Sequence, residues 1–155
     1  MSNWNLPWDG GCRCGELRFR ITDPPMLSFA CHCRGCQLMS GSAFSLTLTV
    51  PAQGFALLQG EPVIGGLHGP DAHHHHCDRC KSWVFTRAEG LDFMVNVRAT
   101  LLDDPRWFTP FVEVWTSEGL PWARTGAVES YEASPDMDGF QALVARFAAQ
   151  GVPGD

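Results

Sequence analysis

All seven cysteines of the chain fall in three short clusters: Cys12-Arg13-Cys14, Cys31-His32-Cys33-Arg34-Gly35-Cys36 and Cys77-Asp78-Arg79-Cys80. Thiols one or two residues apart can converge on one soft metal ion, and grouped spacing of this kind points to zinc. A closed zinc site takes four ligands, so seven thiols divide most simply into one full set and one set of three. Three protein ligands with an open fourth position is the arrangement of a catalytic zinc. Disulfides fit worse. Partners one residue apart strain the ring, and an odd total leaves one thiol over.

In a strand, side chains two apart share a face. On that basis Cys12 and Cys14 point together with Arg13 turned away, and Cys31 and Cys33 point together with His32 opposite. The first pair lies at even positions and the apolar Leu17, Phe19 and Ile21 at odd ones, which predicts a bulge at Gly15. Cys33–Cys36 and Cys77–Cys80 form knuckles, with Gly35 easing the backbone of the first. The spacing allows Cys31, Cys33 and Cys36 to make a tripod while Cys12, Cys14, Cys77 and Cys80 make a closed site.

The elements that must carry these clusters are mostly strands. Leu17, Phe19 and Ile21 alternate with polar residues. So do Phe44, Leu46, Leu48 and Val50, and so do Leu91, Phe93, Val95 and Val97, the last set against Asp92, Met94, Asn96 and Arg98. Period-two alternation predicts half-buried antiparallel strands. Residues 111–116 form another, with shorter ones at 56–59 and 83–86. One helix is expected near the C-terminal end, over about residues 135–150. Ser134 caps it, Pro135 takes its first position, Asp136 and Asp138 favour its positive end, and Phe140, Leu143, Val144 and Phe147 make one apolar face. Residues 37–40 form a short helical turn stopped by Gly41. Gly65-Gly66 and Gly69-Pro70 mark a loop before the run His73-His74-His75-His76, which reads as solvated.

The 155 residues suit a single domain with one core. No apolar run approaches a membrane span, and the first nine residues lack the basic-then-apolar order of a secretory signal. A cytoplasmic address follows, where grouped cysteines bind metal more often than they pair. The net charge is −6, and Lys81 is the sole lysine beside ten arginines. No basic run exists to displace phosphate counterions, which argues against a nucleic-acid partner. Nothing in the sequence sets the oligomeric state.

Gly11-Cys12-x-Cys14-Gly15, Cys31-His32-Cys33-x-x-Cys36 and Cys77-x-x-Cys80 resemble the glutathione-dependent formaldehyde-activating enzyme family, which includes centromere protein V. Leu102-Asp103-Asp104-Pro105 and Pro121-Trp122 extend the likeness over about residues 10–135. The resemblance implies a mainly β fold, an antiparallel zinc-bound β-tent, with one C-terminal helix. It assigns Cys12, Cys14, Cys77 and Cys80 to a structural zinc, and Cys31, Cys33 and Cys36 to a catalytic zinc, two ions in all. It implies a carbon–sulfur lyase that joins glutathione to formaldehyde as S-(hydroxymethyl)glutathione, its partners being a small thiol and a small aldehyde. Three positions depart from the family pattern: Lys81 stands where glycine is usual, His76 where phenylalanine is frequent, and Glu113 where histidine is frequent.

On this reading an open position on a three-thiolate zinc takes the sulfur of a thiol and deprotonates it, and the thiolate attacks the aldehyde carbon. A site already at net −1 is a poor Lewis acid, so the thiol is its better ligand. Arg13, Arg34 and Arg79 are either carboxylate-binding groups for glutathione or counter-charges for the thiolates. His32 either supports the site or packs. Glu61, Asp103 and Glu113 are candidates for proton transfer, with none assigned as a base. Trp4, Trp8, Trp83, Trp107, Trp115 and Trp122 suit core or cleft wall. A non-catalytic zinc module that binds a protein partner is the main alternative, with a thiol-redox or metal-buffering protein behind it.

Overall fold

A computed structural model describes residues 4–67 and 70–150. The expected turn residue Gly69 and the first three residues lie outside the described residues. Among the described residues the chain runs β1 (Trp8–Gly11), β2 (Arg18–Ile21), β3 (Leu27–Cys31), α1 (Arg34–Ser40), β4 (Ser45–Pro51), β5 (Phe55–Gln59), β6 (Pro62–Gly65), β7 (Ala72–Cys77), β8 (Trp83–Ala88), β9 (Met94–Arg98), β10 (Val112–Val114), β11 (Glu129–Ser130) and α2 (Met137–Gln150). The architecture is mainly β with a C-terminal helix, as the resemblance implies. No helix among the described residues is long and apolar enough to cross a membrane.

The strands form two sheets, β1-β2-β5 and β11-β10-β3-β4-β9-β8-β7-β6. Pairing is antiparallel except that β10 runs parallel to both β3 and β11. The smaller sheet covers one face of the larger. Phe19, Ile21 and Phe55 meet Leu48, Val50, Phe85, Val95 and Val97 in the main core. The alternation seen in the sequence places Phe19, Ile21, Leu48, Val50, Val95 and Val97 correctly.

In β4, and at the end of β9, the polar half of the strand does not face water. Ser45, Thr47 and Thr49 are buried, and Arg98 is only 7% exposed. Cross-strand register explains why. Cys31, Phe29 and Leu27 of β3 sit opposite Ser45, Thr47 and Thr49 of β4. Thr47 and Thr49 sit opposite Arg98 and Asn96 of β9. Directly paired residues point to one side, so the second face of the large sheet carries a polar row leading to Cys31. α2 closes the apolar end of that face, with Leu143 and Phe147 against Leu27, Phe111 and Val112.

Two expected strands are shorter and one is shifted. Leu91 to Phe93 form a turn before β9, leaving Phe93 49% exposed, and only Val112–Val114 of the expected strand 111–116 forms β10; β4 starts one residue later than expected, after Phe44, and ends at Pro51. The histidine run is not a solvated loop. It is β7, paired on both sides with β6 and β8, and each of its histidines is half-buried.

α2 begins two residues later than expected. Asp136 caps it: its Oδ1 accepts the Gly139 N–H at 2.7 Å, and its carbonyl accepts Phe140 N–H at 2.8 Å. Ser134 instead accepts a hydrogen bond from Trp115 Nε1 at 3.0 Å.

Candidate metal centres and the cleft between them

The structure gathers the seven thiols into the two sets the sequence allowed. Cys12, Cys14, Cys77 and Cys80 form one group, and Cys31, Cys33 and Cys36 the other, with sulfurs within 4.8 Å of one another in each. Either group could hold a metal ion.

The four-thiol group joins two turns. Cys12 and Cys14 do not lie on a strand. They occupy the loop of the β1–β2 hairpin, where Gly15 N–H donates to the Cys12 carbonyl at 3.1 Å. Gly15 has φ +82, so the parity change is absorbed by a left-handed turn residue and not by a bulge. Cys77 ends β7, and Lys81 N–H closes the knuckle on the Cys77 carbonyl at 2.9 Å. The two turns meet at sulfur. Cys12 Sγ is 3.5 Å from Cys14 Sγ, and Cys14 Sγ is 3.7 Å from Cys77 Sγ. Arg13 N–H donates to Ser82 Oγ across the junction.

Such crowding splits the protons among the thiols. Burial opposes ionisation of Cys80, yet hydrogen bonds from Ser82, from the Cys14 backbone and from the Cys77 thiol bring it to about 5. Cys14 is pushed up to about 12: the Glu16 backbone hydrogen bond lowers it, but burial and the other three thiols outweigh that. Four thiolates at this spacing require a cation between them.

The three-thiol group is built where β3 runs into α1. Cys31 is the last residue of β3. Cys33 is the N-cap of α1, with φ −62 and ψ 152, and its Sγ accepts the Cys36 N–H at 3.3 Å. The knuckle is therefore the first turn of a helix, three residues longer at its start than expected. Gly41 ends it with φ +66, as expected. Gly35 is not required by the backbone: a Cβ there would meet only Cys33 Sγ, at 3.8 Å. Gln37 braces the turn by donating to the His32 carbonyl at 2.8 Å and the Glu118 carbonyl at 3.0 Å.

Within this group, a hydrogen bond from Cys31 lowers Cys36 to about 6 against burial, with help from Ser45, Cys33 and the Arg98 charge. Cys31 is correspondingly raised, first by Cys36 and then by burial. Arg98 thus stands beside the site from β9. Its guanidinium lies over the Trp83 ring, 3.9 Å from the centroid. Burial lowers its pKa to about 10, which leaves it charged at neutral pH.

The other expected residues are placed as follows. Arg79 pairs with Glu16 at 3.1 Å on an exposed surface, and Arg34 donates to Gln37 Oε1. Arg13 is exposed. None of the three pairs with a cysteine. Asp103 holds Arg18 through both oxygens, at 2.9 and 2.6 Å, and Glu61 is exposed between β5 and β6. His32 is buried with Nε2 3.3 Å from Glu113 Oε2, outside the sulfur cluster. Trp4, Trp8 and Trp107 pack together in the interior edge, Trp83 walls the cleft, and Trp122 is exposed. His76 lies on the row of Arg98 with a buried, unpartnered Nδ1. Lys81 has φ +61, a conformation glycine adopts freely, which explains why glycine suits that position.

The sequence missed Arg98. Its signal, the polar half of an alternating strand, is the ordinary mark of solvent exposure.

A family model for glutathione-dependent formaldehyde-activating enzyme matches residues 7–118. A Halomonas elongata protein, provisionally named a glutathione-dependent formaldehyde-activating enzyme, is 37% identical over 87 residues, covering 50% of this chain and 55% of that protein. The chain thus spans about half the length of this curated relative. A crystal structure of a Rhodobacter sphaeroides protein superposes with a TM-score of 0.52 at 16% identity, over 63% of this chain and 92% of that one. That likeness is one of fold.

Proposed function

Because the chain belongs to the glutathione-dependent formaldehyde-activating enzyme family, we propose that it is a zinc-dependent carbon–sulfur lyase that adds glutathione, or a related thiol, to formaldehyde or another small aldehyde. The observation that carries the reading is the three-thiol group beside a buried cation, one ligand short of closure. A tetrahedral zinc with bonds of about 2.3 Å sets its sulfurs about 3.8 Å apart. The contacts of 3.5 and 3.7 Å in the four-thiol group fit that spacing, and an all-sulfur donor set suits zinc. Cys12, Cys14, Cys77 and Cys80 would hold a structural ion, and Cys31, Cys33 and Cys36 a catalytic one.

A zinc held by Cys31, Cys33 and Cys36 would supply acidity, favouring the thiolate form of a thiol substrate. In the addition itself the thiol gives up its proton, its sulfur bonds to the carbonyl carbon, the C=O π pair moves to oxygen, and that oxygen takes a proton to give the hemithioacetal. The chain's own residues shape the site. The Cys36 N–H holds Cys33 Sγ, Gln37 fixes α1 on β3, and Arg98 sets a buried positive charge near Cys36.

The test is exchange spectroscopy on ¹³C-formaldehyde mixed with glutathione. The metal-loaded protein should speed exchange between the hydrate and the S-hydroxymethyl carbon, and Cys31→Ser should abolish the acceleration. A fully metallated protein that leaves the exchange rate at its background value sinks the reading.

A further inference from the structure

The Arg98 side chain is buried and makes no hydrogen bond or ion pair among the described residues. Its Nε has no partner at all. A buried cation without a hydrogen-bonded counter-charge is costly, so native structures keep one where an anion completes it. The guanidinium lies over the Trp83 ring, 3.9 Å from its centroid.

Arg98 lines a cleft of about 430 Å³ between the end of α1, the start of β4, the turn after Cys80 and the end of β9. Ser42, Ser45, Lys81, Trp83, Arg98 and Thr100 are among its walls. The charged residues of the lining are Lys81 and Arg98, with no carboxylate, in a chain whose net charge is −6. Lys81 holds its place at φ +61, where a side chain is strained. Strain kept at a cleft wall is a mark of function. The Cys31/Cys33/Cys36 group is next door, since Ser45 of the lining sits directly opposite Cys31 across β3 and β4.

We propose that this cleft is a carboxylate subsite, in which the Arg98 fork grips a carboxylate of the thiol substrate and Lys81 adds charge from the rim while the sulfur reaches the three-thiol centre. The inference rests on the thiol reading above for the identity of the molecule that carries the carboxylate. A planar fork held on an aromatic face matches a carboxylate in two parallel hydrogen bonds, which a lysine alone does not.

The test is calorimetry on the metal-loaded protein with S-methylglutathione, whose thioether sulfur has no proton to lose, and with its diethyl ester, whose carboxylates are masked. The free acid should bind at least about tenfold tighter than the ester, the effect of one charge-assisted pair. Arg98→Met should bring the two to within about threefold with metal content unchanged, and Lys81→Met should remove part of the difference. Equal binding of acid and ester by the unaltered protein overturns the proposal, whatever the variants do. Full preference in Arg98→Met also overturns it, as does loss of metal in that variant, which would make Arg98 the counter-ion of the thiolates instead. Should exchange of formaldehyde fail while the acid–ester preference holds, the subsite stands and the thiol–aldehyde reading falls.

Discussion

Glu113 Oε2 lies 3.3 Å from His32 Nε2, joining the middle of β10 to the residue between Cys31 and Cys33. Thr125 Oγ1 and Ser130 Oγ donate to the same carboxylate. Glu113, where the family frequently has histidine, is therefore a hub that fixes the strand end from which two of the three thiols project. It is engaged through three hydrogen bonds, which leaves it ill suited to carry protons to a substrate.

Replacing Glu113 by alanine strands buried His32 and the half-buried Thr125 hydroxyl, and should lower stability by about 2 kcal/mol; glutamine keeps part of the network and should cost about half as much. The acid limb adds a signed test. Burial raises the Glu113 pKa, but the hydrogen bonds from Thr125, Ser130 and His32 bring it below the usual 4.5. A carboxylate lowered in the folded state contributes stability above pH 4.5 that disappears as pH falls through its folded value. Thermal melts across pH 3 to 7 should show the gap between the unaltered protein and Glu113→Gln narrowing at the acid end. A constant gap would count against the network.

Lys81 should expose a conflict between stability and binding. Its φ of +61 costs an L-residue about 1 kcal/mol relative to glycine. Its pair with Asp78 is solvent-exposed and returns little. Lys81→Gly should therefore raise the melting temperature by a few degrees while weakening carboxylate binding. A variant that is less stable than the parent would show that Lys81 is held by something other than function.

Much of the fold was legible because alternation reports which residues of β2, β4, β9 and β10 are apolar. What alternation cannot report is whether the polar half meets solvent or a buried row. Ser45, Thr47 and Arg98 look like a wet face and are buried beside the cysteines. β7 escaped notice for a different reason. His73 and His75 face one way and His74 and His76 the other, so identical residues on both faces erase the period. β3 is buried on both sides over most of its length, which also removes alternation. The spacing of the cysteines, by contrast, already allowed the two thiol groups that the structure brings together, and the family resemblance singled that partition out.

The start of α2 offers a clean comparison of two capping residues. Asp136→Ala removes the acceptor for Gly139 N–H and should cost about 1 kcal/mol. Ser134→Ala leaves that cap intact and removes only the acceptor for Trp115 Nε1, so its effect should be smaller and visible in tryptophan fluorescence. Denaturant melts of both variants would decide it; a larger loss for Ser134→Ala would restore serine as the cap.

The two thiol groups should part company under serine substitution. Cys33 is both a ligand candidate and the cap of α1, and a serine oxygen can take over the bond from Cys36 N–H. Cys33→Ser should therefore keep the helix and the native circular dichroism while losing one of the two metal ions the clusters could hold. Cys80 has no such substitute role. Its group ties the β1–β2 hairpin loop to the turn after β7, and a closed zinc site contributes about 10 kcal/mol to folding, as much as a whole domain's net stability. Cys80→Ser should abolish cooperative unfolding or lower its midpoint by tens of degrees. Metal analysis run beside thermal melts separates the cases: equal losses of stability in the two variants would mean that both centres are structural, and the open three-thiol site would lose its claim to chemistry.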